Sequence, residues 1–381
     1  MLYVIFLILG VIAVFGEIAY LSAWILAGIK SKKEINSSYK PKVCVIVPCK
    51  GIGENFNENV SAIYNQDYKN YKVLFVTDSK DDPAYKKLNE IFSKNKNVST
   101  VVSNFNKGCS GKISALINGI KKAGDVDVYV FADSDIKPHN KWLSILVSNL
   151  KNDDVGATTG YRWFFSNNFQ SLFISCWNMA QSISIFLDTY NYAWGGSTAI
   201  KKKLFDKLEI EKEWKKGFSD DLILTNIVKK AGYKIKFIPK CVSESPVDAD
   251  VWKFIKWGTR QLTWIKWYYP SKFMWMVFVV GVVSLKIITI LGFILLATGF
   301  IIPGLLMIST IFFEIISGAI AFLIFRNNML YSKERFGSTV SYAIIMPIVI
   351  FVVAYNNLAS IFVREIRWGG RTYSKSGKTI S

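Results

Sequence analysis

The 381-residue sequence holds a single histidine, His139, and five cysteines, Cys44, Cys49, Cys109, Cys176 and Cys241, none at the paired spacing of a metal site. The thiols therefore read as reduced and structural, and His139 as a loop residue, not a ligand. Acidic residues are few: 28 Asp and Glu stand against 47 Lys and Arg, a net charge of +19. Lysines spread over a membrane-anchored domain meet anionic headgroups or phosphate-bearing substrates, so no nucleic-acid partner is expected. The first apolar block also lacks the basic start, short core and small-residue cleavage site of a secretory leader. It runs from Leu2 to Ile29 with one charge, Glu17, long enough for a bilayer core of about 30 Å. It reads as a spanning helix.

Apolar residues make up 51% of the chain and cluster at its two ends. Lys30, Lys32 and Lys33 follow the first span, which by the positive-inside rule keeps the next segment cytoplasmic. Met274 to Phe325, interrupted by Lys286, Pro303 and Glu314, accommodates two spans joined near Pro303, and Ser341 to Val363 a third. The basic loop Arg326, Lys333 and Arg335 is then cytoplasmic. One more full crossing would put the basic tail (Arg364, Arg367, Arg371, Lys375, Lys378) outside, against the rule; either the last segment folds back or another segment does not span. The expected organisation is an anchor at 1–29, a soluble domain at 30–250, an amphipathic interfacial helix at 251–272, a transmembrane region at 273–363 and a basic tail at 364–381 of a multi-pass cell-membrane protein.

Between the membrane segments the pattern alternates. Lys42–Pro48, Lys72–Thr77, Val98–Ser103 and Val126–Ala132 are short β-branched apolar runs, and Asn57–Asn65, Pro83–Ser93 and Ser110–Ala123 read as helices between them. This predicts a doubly wound α/β sheet, whose ligands bind beyond the carboxyl ends of the strands. Asp78 and Asp133 stand at two such ends.

Asp133-Ser134-Asp135 delivers two carboxylates from a buried strand into a loop, a pair that suits a divalent cation shared with a diphosphate. Asp78 could accept hydrogen bonds from a nucleobase or ribose, while Asp82 before Pro83 also fits a helix cap. Lys112 lies in the first turn of a helix after a Gly-rich loop, within reach of a phosphate. Asp220 and Asp221 open a helix, where they read either as a general base or as caps. Trp194-Gly195-Gly196-Ser197 is a tight turn beside an aromatic, and Val251 to Tyr269 carries aromatics and lysines suited to the headgroup level.

In this order the signals resemble the GT-A-fold inverting glycosyltransferases of the processive and ceramide glucosyltransferase kind. The resemblance implies a Rossmann-like nucleotide-diphospho-sugar transferase domain flanked by transmembrane helices. It assigns Asp78 or Asp82, Lys112, Asp133 and Arg260 to the donor, and Asp133 and Asp135 to Mg²⁺ or Mn²⁺. Asp221 becomes the base, with Asp220 before it where Glu is usual, and Gly196, Ser197 and Trp264 go to the acceptor. The tail Trp368-Gly369-Gly370-Arg371-Thr372-Tyr373 resembles the ending of lipid glycosyltransferases. One departure stands out: Arg260-Gln261-Leu262-Thr263-Trp264 has Thr263 where the Gln/Arg-x-x-Arg-Trp motif has arginine, so Arg260 or Lys266 would substitute or activity would be altered. The implied reaction is hexose transfer, with UDP-glucose the default donor, to a lipid acceptor. A processive polysaccharide synthase and a non-catalytic sugar-nucleotide-binding membrane protein are the alternatives.

Overall fold

The computed structural model describes residues 1–31, 39–105, 108–166, 168–247, 250–330, 338–375 and 379–380. Lys32, Lys33, Lys333, Arg335 and Lys378, used above for topology, lie outside the described residues. The chain opens with helix α1 (Leu2–Ser31), followed by β1 (Val43–Cys49), α2 (Phe56–Tyr64), β2 (Tyr71–Thr77), α3 (Pro83–Phe92), β3 (Val98–Val102), α4 (Gly111–Lys122) and β4 (Val128–Ala132). These are the four strands and three helices that the apolar runs predict. Then come α5 (Trp142–Ser148), β5 (Val155–Ser166), α6 (Phe169–Gln181), α7 (Ile183–Phe186), β6 (Ser197–Lys201), α8 (Lys202–Lys207), α9 (Ile210–Trp214), α10 (Asp220–Lys230), β7 (Lys234–Val247) and α11 (Val251–Tyr268). The chain ends in α12 (Lys272–Ala297), α13 (Ile301–Ile308), α14 (Thr310–Asn328), α15 (Thr339–Phe362) and three short strands, β8 (Glu365–Trp368), β9 (Arg371–Ser374) and β10 (Thr379–Ile380).

Seven strands form one sheet in the order β3-β2-β1-β4-β6-β5-β7. The first four are parallel, and β6 inserts antiparallel between β4 and β5. Alternation within β1 explains the layering: Val43, Val45 and Val47 enter one core while Cys44 and Ile46 enter another, so a strand buried on both faces has no polar position to place. Each such side chain contributes roughly 1.5–3 kcal/mol when fully buried. Helix α4 lies close on the second face because residue 119 is glycine; a Cβ there would sit 3.2 Å from Val76 and collide with Ile46. Parallel strands put their carboxyl ends at one edge, which gathers Lys50, Asp78 and Asp133. Because β6 runs the opposite way and pairs Ser197 with Ala132, the turn before it arrives at that same edge.

A third core is shared by body and membrane helices. Trp24 of α1, Trp163 and Phe164 of β5, Trp177 of α6, Phe254 of α11, Phe325 of α14 and Tyr342 of α15 all belong to it. Four helical stretches, Leu2–Ser31, Lys272–Ala297, Ile301–Asn328 and Thr339–Phe362, are long and apolar enough to cross a membrane. The second and third are joined at Gly299, where φ is +86° and glycine is favoured. Pro303 falls inside the first turn of α13, a position that needs no N–H. Helix α15 packs lengthwise against the body: Tyr342 Oη is 2.8 Å from Ser175 Oγ of α6, Trp177 Nε1 donates to Asn356 Oδ1 at 3.0 Å, and Lys266 of α11 donates to the carbonyls of Ser360, Ile361 and Val363. Both its ends thus meet elements of the sheet-bearing body. The tail folds onto that body, with Arg371 paired to Asp78.

All five cysteines are free and buried, giving a quiet background for labelling. In sealed vesicles a membrane-impermeant maleimide is expected to modify Asp206→Cys on the body and Lys375→Cys after the tail hairpin from one face, and Thr298→Cys from the other. Modification of Lys375→Cys from the Thr298 side would refute this arrangement.

Candidate active site

The carboxyl edge of the sheet closes around a buried ammonium. Lys112 Nζ lies 2.8 Å from Asp133 Oδ1 and 3.2 Å from Asp220 Oδ2. Ser110 makes this placement possible: its hydroxyl accepts from Ile113 N at 3.2 Å, capping α4 so that Lys112 leaves its first turn toward β4. Burial alone would lower the Lys112 ammonium, but Asp133, Asp220 and Asp221 outweigh it and push it up. Burial would likewise raise Asp133, yet Lys112 and Arg162 hold it below the usual carboxylate range. Asp220 is the member that loses: burial first, then Asp221 and Asp133, raise it to about 6 against the pull of Lys112.

Arg162, on β5, completes the centre. Its Nη2 is 2.8 Å from Asp133 Oδ2 and its Nη1 3.1 Å from Asp135 Oδ2, with the guanidinium 4.7 Å from the centroid of the Trp194 ring. Both Asp133 and Asp135 therefore turn an oxygen to one positive group. Two hard carboxylates with no soft donor suit Mg²⁺ or Mn²⁺, which take one or two carboxylates and fill the rest of their shell with water and phosphate oxygens. No group of three or more His, Cys, Asp and Glu that could hold a metal occurs among the described residues. The pair therefore fits a metal that arrives with a phosphate-bearing ligand better than a stand-alone metal cage.

Helix α10 presents Asp221 to the same space. Ser219 Oγ donates to Asp221 Oδ1 at 2.5 Å, and the amide of Leu222 donates to the same oxygen at 2.8 Å. Asp220 and Asp221, adjacent in sequence, both line the cavity but divide in their partners: Asp220 is tied to Lys112, Asp221 to Ser219 and the Leu222 amide. The Gly195–Gly196 turn explains itself by clearance. A Cβ on Gly195 would sit 2.9 Å from Lys112 Nζ, and one on Gly196 2.7 Å from Asp133 Oδ2. Gly196 O accepts from Asp133 N at 3.2 Å, so it supports the carboxylate from behind. Ser197, expected at the acceptor, is fully buried instead and accepts from Trp142 Nε1 at 2.8 Å.

The tail closes the other side. Asp78 pairs with Lys50 and with Arg371, each at 3.0 Å, and the Arg371 guanidinium lies 4.0 Å from the centroid of the Phe105 ring. Gly111 N donates to Tyr373 Oη at 3.4 Å and Lys50 Nζ to Gly369 O at 2.7 Å. Trp368 and Tyr373 pack against Trp264 at 6.4 and 6.1 Å. Asp82 takes the capping role: its Oδ1 accepts from Ala84 N and from Gly51 N, both at 2.9 Å. Lys50 and Arg162 were not singled out from sequence. The strand-end rule that found Asp78 and Asp133 would have found Lys50, which follows β1 directly; Arg162 lies within a strand with no flanking turn to flag it.

The missing motif arginine also finds a physical reason. Trp257, Arg260, Gln261, Trp264 and Tyr268 form the cavity face of α11, whereas Thr263 is fully buried and donates to Thr259 O at 2.8 Å. An arginine at 263 would start from the face packed against α15. Lys266 is engaged with the end of α15, so of the two expected substitutes only Arg260 reaches the cavity; burial, then Arg162 beside it, hold its guanidinium below the usual value. His139 is buried in the loop after β4, its Nε2 2.8 Å from Lys240 O, a structural role as expected.

Asp220 makes stability depend on pH. Its carboxyl lies at about 6 in the fold against 3.8 free, so its contribution is fully present below 3.8 and lost as pH rises through about 6. Asp220→Asn is expected to gain stability relative to the parent as pH rises through about 6. The difference vanishes in acid. Thermal unfolding across this range checks it; equal midpoints at neutral pH would refute the assignment.

An uncharacterized glycosyltransferase of Haemophilus influenzae is 27% identical over 122 residues, 32% of this chain and 36% of that protein, so the match spans about a third of the relative. A mannosyltransferase, PcManGT from Pyrobaculum calidifontis, solved in complex with GDP-Man and Mn²⁺, superposes with a TM-score of 0.56 at 18% identity, covering 92% of this chain and 99% of that one. That likeness is one of fold, the GT-A-like arrangement with apolar helices at both ends. The profile of glycosyl transferase family 21 matches residues 4–380, and the chain belongs to that family.

Proposed function

We propose that the protein transfers a hexose, glucose by the resemblance, from a nucleotide-sugar to a lipid acceptor at the cytoplasmic face of the cell membrane, with inversion. One observation carries the reading: a single cavity of about 1460 Å³ is lined both by Asp133, Asp135 and Asp221 and by membrane-helix residues such as Phe278 and Leu285. That exceeds the 300–1,000 Å³ of an ordinary ligand pocket and leaves room for two substrates, one of them apolar.

The roles follow from the contacts. Asp221, oriented by Ser219 and the Leu222 amide, accepts the proton of the acceptor hydroxyl as it attacks the anomeric carbon. Lys112 and Arg260 offer positive charge where it grows on the departing diphosphate, and a buried setting makes that charge count for more than in water. Asp133 and Asp135 would hold the divalent ion, which supplies Lewis-acid charge to the same diphosphate when bound. The tail hairpin covers Asp78, and Arg371 stands between that carboxylate and the Gly111–Lys112 turn, close to where a nucleotide joins its phosphates. Trp264 caps the acceptor side. The comparison protein's GDP-Man and the resemblance's UDP-glucose leave the base to be decided by assay.

Purified protein in lipid nanodiscs, given UDP- and GDP-sugars with Mn²⁺ or Mg²⁺, is expected to form a glycolipid. Asp221→Asn is expected to lose ~10²–10⁴ in turnover with donor binding intact, and a chelator is expected to abolish transfer reversibly. Long polymer, or donor binding with no turnover in the parent, would overturn the reading. Arg371→Ala is expected to raise the donor KM about tenfold, the loss of one charged hydrogen bond, with Arg371→Lys recovering only part because it lacks the planar fork. An unchanged donor KM would remove Arg371 from the donor site.

A further inference from the structure

The two carboxylates proposed for the metal are already bridged. Arg162 Nη2 is 2.8 Å from Asp133 Oδ2 and Nη1 3.1 Å from Asp135 Oδ2, so one planar guanidinium spans the pair. The other oxygen of Asp133, Oδ1, belongs to Lys112 at 2.8 Å. That leaves Oδ2 as the oxygen that both the guanidinium and an incoming ion need. Arg162 and a divalent cation are therefore rivals for the same two side chains.

Displacing Arg162 is costly by itself. Its side chain is 14% exposed, lies over the Trp194 and Phe164 rings at 4.7 and 5.3 Å, and among the described residues pairs with no acidic group besides Asp133 and Asp135. Its charged neighbour in the cavity is Arg260, whose guanidinium burial and then Arg162 hold below the usual value. Forced off its carboxylates, Arg162 becomes a buried charge facing another of the same sign. A diphosphate answers both, because guanidinium forks match phosphate oxygens. The backbone stays fixed: Arg162 O accepts from Asn178 Nδ2 at 2.9 Å, so the exchange is a turn of the side chain and not a shift of β5.

We infer that Arg162 is an exchangeable counter-ion, which holds Asp133 and Asp135 until a divalent ion and a nucleoside diphosphate arrive together and then turns to the diphosphate beside Arg260. The inference rests on the donor site proposed above and adds its order of assembly. Arg162 acts on the metal by positioning and release. Because such coupling is reciprocal, the nucleotide tightens the metal by the same factor as the metal tightens the nucleotide.

The test is Mn²⁺ binding, read from loss of the free-ion EPR signal. It uses the full chain in phosphatidylcholine nanodiscs, with and without UDP or GDP, and is corrected for ion held by nucleotide alone. In the parent, nucleotide is expected to tighten Mn²⁺ by roughly tenfold or more. Arg162→Gln is expected to bind Mn²⁺ alone about tenfold tighter than the parent, the effect of one charged hydrogen bond that no longer has to break, and to gain little more from nucleotide. Arg162→Lys is the deciding variant, because it keeps the charge but, as a point donor, cannot span both carboxylates. Its affinity for Mn²⁺ alone is expected to rise as well. An affinity equal to the parent's would reduce Arg162 to a background charge and overturn the exchange. A parent that binds nucleotide yet holds Mn²⁺ equally with and without it would do the same, and that result needs no variant to fold. If neither nucleotide binds, the donor reading fails, while parent and variants compared on Mn²⁺ alone still decide whether guanidinium and ion share the carboxylates.

Discussion

A lysine ammonium taken out of water must be met by negative charge, and at Lys112 that requirement draws three separate elements to one point. Helix α4 brings the amine, β4 brings Asp133 and α10 brings Asp220, and none of these groups is comfortable in the interior without the others. The glycine turn before β6 follows from the same crowding, because a methyl group at Gly195 or Gly196 would press on the pair itself. Around this point the count of charges is Lys112, Arg162 and Arg260 against Asp133, Asp135, Asp220 and Asp221. The surplus is negative, which suits the cation of the proposed reaction and the anion it would accompany.

The other organising constraint is that the body and the membrane helices are not two units joined by a linker. Trp163 and Tyr342 pack together at 5.4 Å, and Phe322 and Tyr342 stack at 4.5 Å, so a strand of the sheet and two apolar helices share one interior. The distance from the carboxylates of the sheet edge to the apolar helices is thereby fixed by packing. In the proposed reaction a lipid would not have to be extracted to reach the edge of the sheet.

The parallel half of the sheet was legible because its strands are short, β-branched and bounded by turns, and because Asp78 and Asp133 sit at their carboxyl ends. The second half was not. β5 reads Val-Gly-Ala-Thr-Thr-Gly-Tyr-Arg-Trp-Phe-Phe-Ser, without a clean alternation, and its register shifts against β7; Arg162 was lost with it. Asp220 and Asp221 could be named together but not separated, since which one meets Lys112 is a matter of α10's rotation. Ser197 misled for the opposite reason: a serine in a glycine turn looks available, and only the fold reveals the indole above it. Hydropathy marked α15 as long and apolar enough to cross a membrane, as the structure has it; what it did not show is that Tyr342, Asn356, Asn357 and Ser360 are buried on the other face.

The hairpin of β8 and β9 follows the last membrane helices in the chain yet covers Asp78, near its beginning. A ribosome makes these parts in the opposite order from the one in which the site needs them. The sheet can fold as it emerges, but the roof over its carboxyl edge cannot be laid until α12 to α15 have been made and packed. Completion of the candidate site is therefore a report that the apolar helices have reached their places, and a chain stranded before that step would leave Asp78 uncovered.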